Sequence, residues 1–179
     1  MTAPHDHASA DIACAMAHGE VPAPTDGRRL VAVFASPVAM QLVHLAAHVG
    51  FECLVLDPER DLDGATTVRT AADAGLDDRT DVVVTDHDRP ELGDVLADVL
   101  GHPTRWVGVM GSPRHTAPHV AALAERGVPS GVVTRVHRPI GLDIGSKSPA
   151  EIAVSTVAGL LADRAGRAGG VYRSTAGTA

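Results

Sequence analysis

Short apolar runs alternate with helix-spaced apolar positions through the middle of the chain. The runs are apolar nearly throughout, as in residues 30–35 (LVAVFA) and 81–85 (DVVVT), which is typical of strands covered on both faces. Apolar positions three and four residues apart indicate helices between them. The predicted strands span residues 30–35, 51–57, 65–68, 81–85, 105–110 and 134–140. The predicted helices span residues 37–49, 90–101, 113–127 and 148–166.

This order of elements predicts an α/β fold. Strands that alternate with helices of about 10–15 residues form βαβ units with right-handed crossovers and a parallel sheet. We predict a Rossmann-like three-layer sandwich with a mostly parallel sheet in the order 3-2-1-4-5, with its ligand near the switch point between strands one and four. Residues 29–167 form this domain, and residues 1–28 and 168–179 are predicted to be flexible tails.

Composition narrows the choice of partners and compartment. The formal net charge is −7 and aromatic residues make up 2% of the chain, which argues against nucleic-acid binding. The two cysteines, Cys14 and Cys53, form no CxxC pair, as expected for reduced thiols in the cytoplasm. No apolar run approaches the roughly 20 residues that cross a bilayer, and no signal peptide is apparent. We expect a cytoplasmic protein without membrane contact.

Three serines share the same local pattern, because Ser36, Ser112 and Ser148 each precede a proline. A serine hydroxyl at the N-cap accepts a free backbone N–H, and proline suits the first helical position. Glu151 follows Ser148 by three residues, which completes a capping box. Helix capping alone is the simplest explanation of each pair.

Glycines and cations accompany two of these serines, and together they predict an oxyanion site. The glycines that precede Ser112 and Ser148 are Gly108, Gly111, Gly141 and Gly145. Glycine lets a ligand approach the backbone closely, and the N–H groups at a helix N-terminus favour phosphate. Arg114 and Lys147 would supply positive charge.

The turn after the first strand lacks the glycines of a dinucleotide-binding fingerprint, since it reads Ala35-Ser36-Pro37. Asp57 ends the second strand, at the position where an acidic residue would hold a ribose. His87 and Asp88 follow the fourth strand, where they could contact a ligand or move a proton. Turn and cap chemistry also explains that segment, and no metal site is predicted.

Two stretches carry a resemblance to a known family: WVGVMGSPRH (residues 106–115) and RVHRPIGLDIGSKSPAEIAVSTVAGLL (residues 135–161). They resemble the C-terminal Rossmann domain of the XdhC/CoxI family, over about residues 30–165. The resemblance implies an accessory protein of molybdenum hydroxylases, such as xanthine dehydrogenase or CO dehydrogenase, rather than an enzyme. It also implies binding of the molybdenum cofactor (molybdopterin) for its sulfuration or insertion.

The resemblance and the loops together indicate a set of cofactor-binding residues and no catalytic residue. The set is Ser36, Asp57, His87, Asp88, Gly108, Gly111, Ser112, Arg114, Gly141, Asp143, Gly145 and Lys147. The expected partners are an apo molybdenum hydroxylase, a cysteine desulfurase or a separate protein that carries the family's N-terminal domain, and a second copy of the chain. The sequence departs from the family in its first turn and at Pro113 and His115, where Arg or Lys is usual.

Two alternatives remain open at this level. One is an NAD(P)-dependent oxidoreductase, which the sheet order and Asp57 favour. The missing glycines and the lack of a Tyr-Lys or Cys acid–base pair oppose it. The other is a degenerate nucleotide-binding regulatory module that has kept the fold and lost the ligand.

Overall fold

The computed structural model describes residue 15, residues 27–112 and residues 116–170. Most of the two predicted tails lies outside these residues. The strands are β1 (Arg29–Val33), β2 (Glu52–Leu56), β3 (Thr67–Val68), β4 (Thr80–Val84), β5 (Trp106–Val109) and β6 (Val136–His137). The helices are α1 (Pro37–His48), α2 (Ala71–Ala74), α3 (Leu92–Leu100), α4 (Pro118–Glu125), α5 (Ser130–Val133) and α6 (Pro149–Arg164).

The strands form one parallel sheet in the order β3-β2-β1-β4-β5-β6. Each neighbouring pair runs parallel, and in the centre Val31 of β1 lies opposite Leu54 of β2 and Val82 of β4. The predicted α/β fold and the order 3-2-1-4-5 are confirmed. The last predicted extended segment, residues 134–140, contributes β6 at the edge of the sheet.

Helices cover the sheet on both faces, which explains why its strands are continuous apolar runs. Side chains alternate between the faces of a strand. Leu30 and Ala32 therefore pack with α1 and α6 on one face, whereas Val31 and Val33 pack with α3 on the other. All four are at most 1% exposed.

A buried ionic cluster joins α6 to the sheet near the amino ends of β4 and β5. Asp81 of β4 is fully buried between two arginines. Arg164 Nε donates to its Oδ2 at 2.8 Å, and Arg105 Nε donates to its Oδ1. Arg105 also donates from Nη1 to Asp163 of α6 at 2.6 Å. The cluster ties the last helix to the sheet at the end opposite the carboxyl edge.

One predicted helix begins later than expected. The pattern predicted a helix over residues 113–127 capped by Ser112, but α4 begins at Pro118 with Ala117 at its N-cap. Proline lacks the N–H that a helix interior requires and fits the first turn of a helix, so α4 begins at Pro118. Ser112 is therefore not the cap of this helix.

The other two serine caps are as predicted. Ser36 Oγ accepts from Ala39 N–H at 3.0 Å, and Ser148 Oγ accepts from Glu151 N–H at 3.3 Å. The capping box predicted for Ser148 and Glu151 differs from this prediction, because the Glu151 carboxylate accepts from the Ser146 hydroxyl. In the part of the chain that the structure describes, no helix has the length and apolar character needed to cross a bilayer.

Candidate functional site

A cleft of about 470 Å³ opens at the carboxyl edge of the sheet, above the neighbouring strands β4 and β5. The β4–α3 loop contributes His87 and Asp88, and the β5–α4 segment contributes Ser112, Thr116 and Pro118. The topology thus brings three of the predicted residues, His87, Asp88 and Ser112, around one hollow. Thr116 and Pro118 were missed because the sequence placed both inside a helix.

His87 and Asp88 form one wall of this cleft. His87 Nε2 lies 3.7 Å from Asp88 Oδ1, and the two side chains are 29% and 88% exposed. The Asp88 N–H donates to Asp86 Oδ1 at 3.1 Å, which fixes the turn. The backbone of this segment therefore forms a turn, as one of the two interpretations of the sequence expected. The His87 imidazole and the Asp88 carboxylate remain accessible to a ligand.

A guanidinium group stands beside the opposite wall. Arg138 Nη2 donates to the Ser112 carbonyl at 3.2 Å. A Cβ atom on Gly111, whose φ is +153°, would lie only 2.5 Å from the same nitrogen. Gly111 therefore makes room for the cation. Arg138 was absent from the predicted set, although it stands in the RPIG segment that follows β6.

A buried histidine lies near this cation. His119 of α4 is 4% exposed, and its Nδ1 has no hydrogen-bond partner among the described residues. Burial lowers the pKa of His119, and the positive charge of Arg138 lowers it further. The imidazole is therefore neutral at neutral pH, and the charge beside this wall comes from Arg138.

The first turn (residues 34–36) is held by Asp57, the predicted ribose-binding residue. Asp57 is fully buried, and its Oδ2 accepts from Ala35 N–H at 2.8 Å and from Arg89 Nη1 at 3.1 Å. Its Oδ1 accepts from the N–H groups of Glu59 and Arg60 at 2.9 and 3.0 Å. These four donors use the acceptor positions of the carboxylate, and none remains for a ribose hydroxyl.

The same contacts set the charge state of Asp57. Burial by itself would raise the pKa of this carboxyl, but the hydrogen bonds from Ala35, Glu59, Arg60 and Arg89 outweigh it and hold the pKa below its usual range. Asp57 is therefore ionised and paired with Arg89 at neutral pH. A buried ion pair fills the place of the predicted ribose contact.

Arg89 closes the first turn from the other side. It is 7% exposed, makes two 3.1 Å hydrogen bonds to Glu91, and lies 4.9 Å over the ring of Phe34. Phe34 itself has φ +73° and no exposed surface. A bulky residue in this left-handed region is strained and persists only where its surroundings hold it. Neither residue was predicted to matter, because their contacts join distant parts of the chain.

Ser36 is also used within the protein. Its Oγ lies 2.9 Å from Thr85 Oγ1, and Thr85 donates in turn to the carbonyls of Val33 and Phe34. Together with the cap to Ala39, these bonds occupy the Ser36 hydroxyl. The first turn is closed by the protein's own groups.

Two of the predicted glycines serve internal packing. A Cβ atom on Gly108 would lie 2.1 Å from the Trp106 ring, so Gly108 lets this ring lie flat along β5. Gly141 has φ +81°, and a Cβ there would lie 2.6 Å from Ser155 Oγ on α6. Both glycines permit close contacts between parts of the chain itself.

The loop before α6 does not line the cleft. Gly145 has φ +69° and open space around its Cβ position, and Asp143 and Lys147 are exposed. The residues that line the cleft include neither this loop nor Ser148. Of the two serine–proline pairs that the sequence places beside glycines and cations, only the serine of the first, Ser112, lines this cleft among the described residues. Arg114, also predicted to bind, lies outside them.

Metal-binding side chains do not cluster here. Within the described ranges, no group of three or more His, Cys, Asp and Glu side chains is placed to hold a metal ion.

Comparisons with known proteins agree with this architecture. A family model described as the XdhC Rossmann domain matches residues 30–160. The uncharacterized protein YqeB of Escherichia coli K12 is 30% identical over 154 residues, which cover 80% of this chain and 28% of YqeB. A crystal structure described as a xanthine dehydrogenase from Bacillus halodurans has a TM-score of 0.61 at 26% identity, over 79% of this chain and 44% of that one. The chain thus spans less than half the length of both relatives, and it belongs to the XdhC Rossmann domain family.

Proposed function

We propose that this chain is an accessory protein in the maturation of a molybdenum hydroxylase, and that it binds the pterin of the molybdenum cofactor. Membership of the XdhC Rossmann domain family supports the role at the level of the family. The observation that carries the binding proposal is the cleft above β4 and β5, with Arg138 beside its wall.

The residues around the cleft fit the chemistry of an anionic pterin. A volume of about 470 Å³ lies within the usual range for small-molecule sites. The hydroxyls of Ser112 and Thr116 can donate to phosphate oxygens, and the Arg138 guanidinium supplies positive potential. The amino-pyrimidinone edge of a pterin carries adjacent N–H donors, which suit a carboxylate such as that of Asp88.

The proposed task is binding and transfer rather than turnover. The cofactor supplies redox chemistry once it is seated in the hydroxylase. This chain's residues hold the pterin and orient it, and the exposed Asp88 keeps one side of the cleft open for release. The proposed client is the apo form of a molybdenum hydroxylase, with a cysteine desulfurase or a protein carrying the family's N-terminal domain as additional partners.

The closed first turn argues against NAD(P) as the ligand. The Asp57 carboxylate is fully used by four donors, and Phe34 stands at a positive-φ position that glycine would fill without strain. A dinucleotide would need both the backbone approach and the acidic acceptor at this turn. We therefore do not propose an oxidoreductase.

Binding can be tested by gel filtration. The protein is mixed under anaerobic conditions with molybdopterin released from a molybdoenzyme, and the protein peak is assayed for pterin fluorescence after oxidation. We expect co-elution, weakened in Thr116→Val and Asp88→Asn and unchanged in Asp61→Asn, whose carboxylate is exposed and pairs with Arg69.

Two outcomes would overturn the proposal. If the pterin fails to co-elute with the unaltered protein, the chain is a degenerate module. If NADH fluorescence instead rises saturably on addition of protein, the oxidoreductase alternative is correct. A pull-down from the native host, analysed for a molybdenum hydroxylase, tests the client separately.

A further inference from the structure

A second pocket lies at the other end of the sheet, near the starts of β5 and β6. Its volume is about 200 Å³, and it shares no lining residue with the cleft. Its lining residues are Thr104, Arg105, Trp106, Val107, Arg135 and His137. No part of the proposed pterin site uses this pocket, so its role is a separate question.

Two residues that line this pocket each carry a buried polar atom without a partner. Thr104 Oγ1 and Arg105 Nη2 are buried, and neither makes a hydrogen bond within the described residues. The other two nitrogens of the same guanidinium are engaged, with Nε on Asp81 and Nη1 on Asp163. A buried donor without a partner costs free energy, so two such donors on neighbouring lining residues point to an acceptor that enters through the pocket.

The charge around the pocket is positive. Arg135 is exposed, and its side chain has no ion pair within the described part of the chain. The nearby carboxylates Asp81 and Asp163 are shared between Arg105 and Arg164. The guanidinium groups of Arg105, Arg135 and Arg164 thus outnumber the two carboxylates by one. This region carries a net positive charge, although the formal net charge of the whole chain is −7.

Two stacked rings limit the size of the occupant. The rings of Trp106 and His137 lie 5.1 Å apart at an interplanar angle of 10°. Because Gly108 has no side chain, the Trp106 ring can lie flat against β5. The two stacked rings form one wall of the pocket. With about 30 Å³ per water molecule in the liquid, a pocket of about 200 Å³ has room for about six waters, or for one small ion with waters beside it.

We propose that this pocket binds one small oxyanion, a phosphate or a carboxylate group, through Arg105 Nη2, the Thr104 hydroxyl and Arg135. A planar, forked guanidinium with a free nitrogen is well suited to the oxygens of such a group. The proposal does not depend on the pterin site, and either can fail without the other.

The only tryptophan of the chain lines this pocket and reports on its occupancy. Fluorescence of Trp106 is followed at low ionic strength while inorganic phosphate or sodium acetate is added in separate titrations. We expect one saturable change, and its dissociation constant should rise about tenfold in Thr104→Val and in Arg135→Gln. Arg60→Gln removes an exposed arginine outside the pocket and should leave the constant unchanged.

The two titrations distinguish the possible sources of the anion. Saturation by phosphate alone assigns the pocket to a phosphate group, and saturation by acetate alone assigns it to a carboxylate. The proposal is wrong if neither anion saturates the signal by about 10 mM, which would leave the pocket to water. It is also wrong if binding persists unchanged in both variants while circular dichroism shows that they are folded.

Discussion

Replacement of Asp57 by Asn tests whether the protein's own groups hold the first turn closed. The carboxylate accepts from Ala35 N–H and Arg89 on one oxygen, and from the N–H groups of Glu59 and Arg60 on the other. An amide has one oxygen and one NH₂ group. In the variant, the two donors on one side would therefore face the NH₂ group of the amide, which is itself a donor. Arg89 would also lose its buried counter-charge.

The size of the loss follows from these contacts. A buried donor left without an acceptor costs about 1–3 kcal/mol, and breaking a buried ion pair costs about 3–5 kcal/mol. Arg89 keeps its two hydrogen bonds to Glu91, so the terms overlap and do not simply add. We expect Asp57→Asn to lower the free energy of unfolding by about 3–5 kcal/mol, a large part of the roughly 5–15 kcal/mol typical of a domain.

Urea denaturation, followed by circular dichroism and by Trp106 fluorescence, measures this loss. Asp61→Asn is the matched control, since it removes a carboxylate that is 73% exposed and paired with Arg69. Such surface pairs contribute about 0–1 kcal/mol. If Asp57→Asn cost no more than the control, the carboxylate would not be holding the turn, and a ligand role for Asp57 would have to be restored.

The remaining predictions concern the stability of two glycine variants, the reactivity of the Cys53 thiol and the stability of the protein at low pH. Gly141→Ala places a methyl group against α6 at a positive φ and should cost about 2–4 kcal/mol in urea denaturation, whereas Gly145→Ala, with open space around it, should cost about 1 kcal/mol. Burial raises the pKa of the Cys53 thiol to about 12. In a Cys14→Ser variant, an aromatic disulfide reagent should thus react with Cys53 far more slowly at neutral pH than after unfolding. Because the folded-state pKa of Asp57 is lowered, its stabilising contribution is complete above its unfolded value near 4 and is lost as the pH falls through the folded value. Urea midpoints should therefore fall more steeply below about pH 4 in the unaltered protein than in Asp57→Asn; equal slopes would contradict this assignment.

The sheet was predictable because its signal is local. Runs such as residues 30–35 and 81–85 are apolar on both faces, and β1 and β4 are covered on both sides as that pattern requires. Short elements escaped prediction, since α2 and α5 have four residues each and show no periodicity. The start of α4 was misjudged because a serine–proline pair was preferred to Pro118, although Pro118 carried the same signal.

The site was less predictable because its determinants join distant residues. His87, Asp88 and Ser112 meet because β4 and β5 are neighbours, which the strand order implied. The Asp57 carboxylate is bound by groups of the protein itself. One of them, Arg89, lies 32 residues away in the chain. No local pattern indicates such a pairing. The sequence also does not distinguish a glycine that lets a ligand approach from one that permits internal packing, such as that of Gly141 against α6.

The most direct test of the account is to map the pterin contacts residue by residue. Amide resonances of the ¹⁵N-labelled protein are recorded as molybdopterin is added under anaerobic conditions. We expect saturable shifts at His87, Asp88, Ser112 and Thr116, with Ala35 and Ser36 unchanged. Shifts centred on the first turn, or none at saturating pterin, would contradict it.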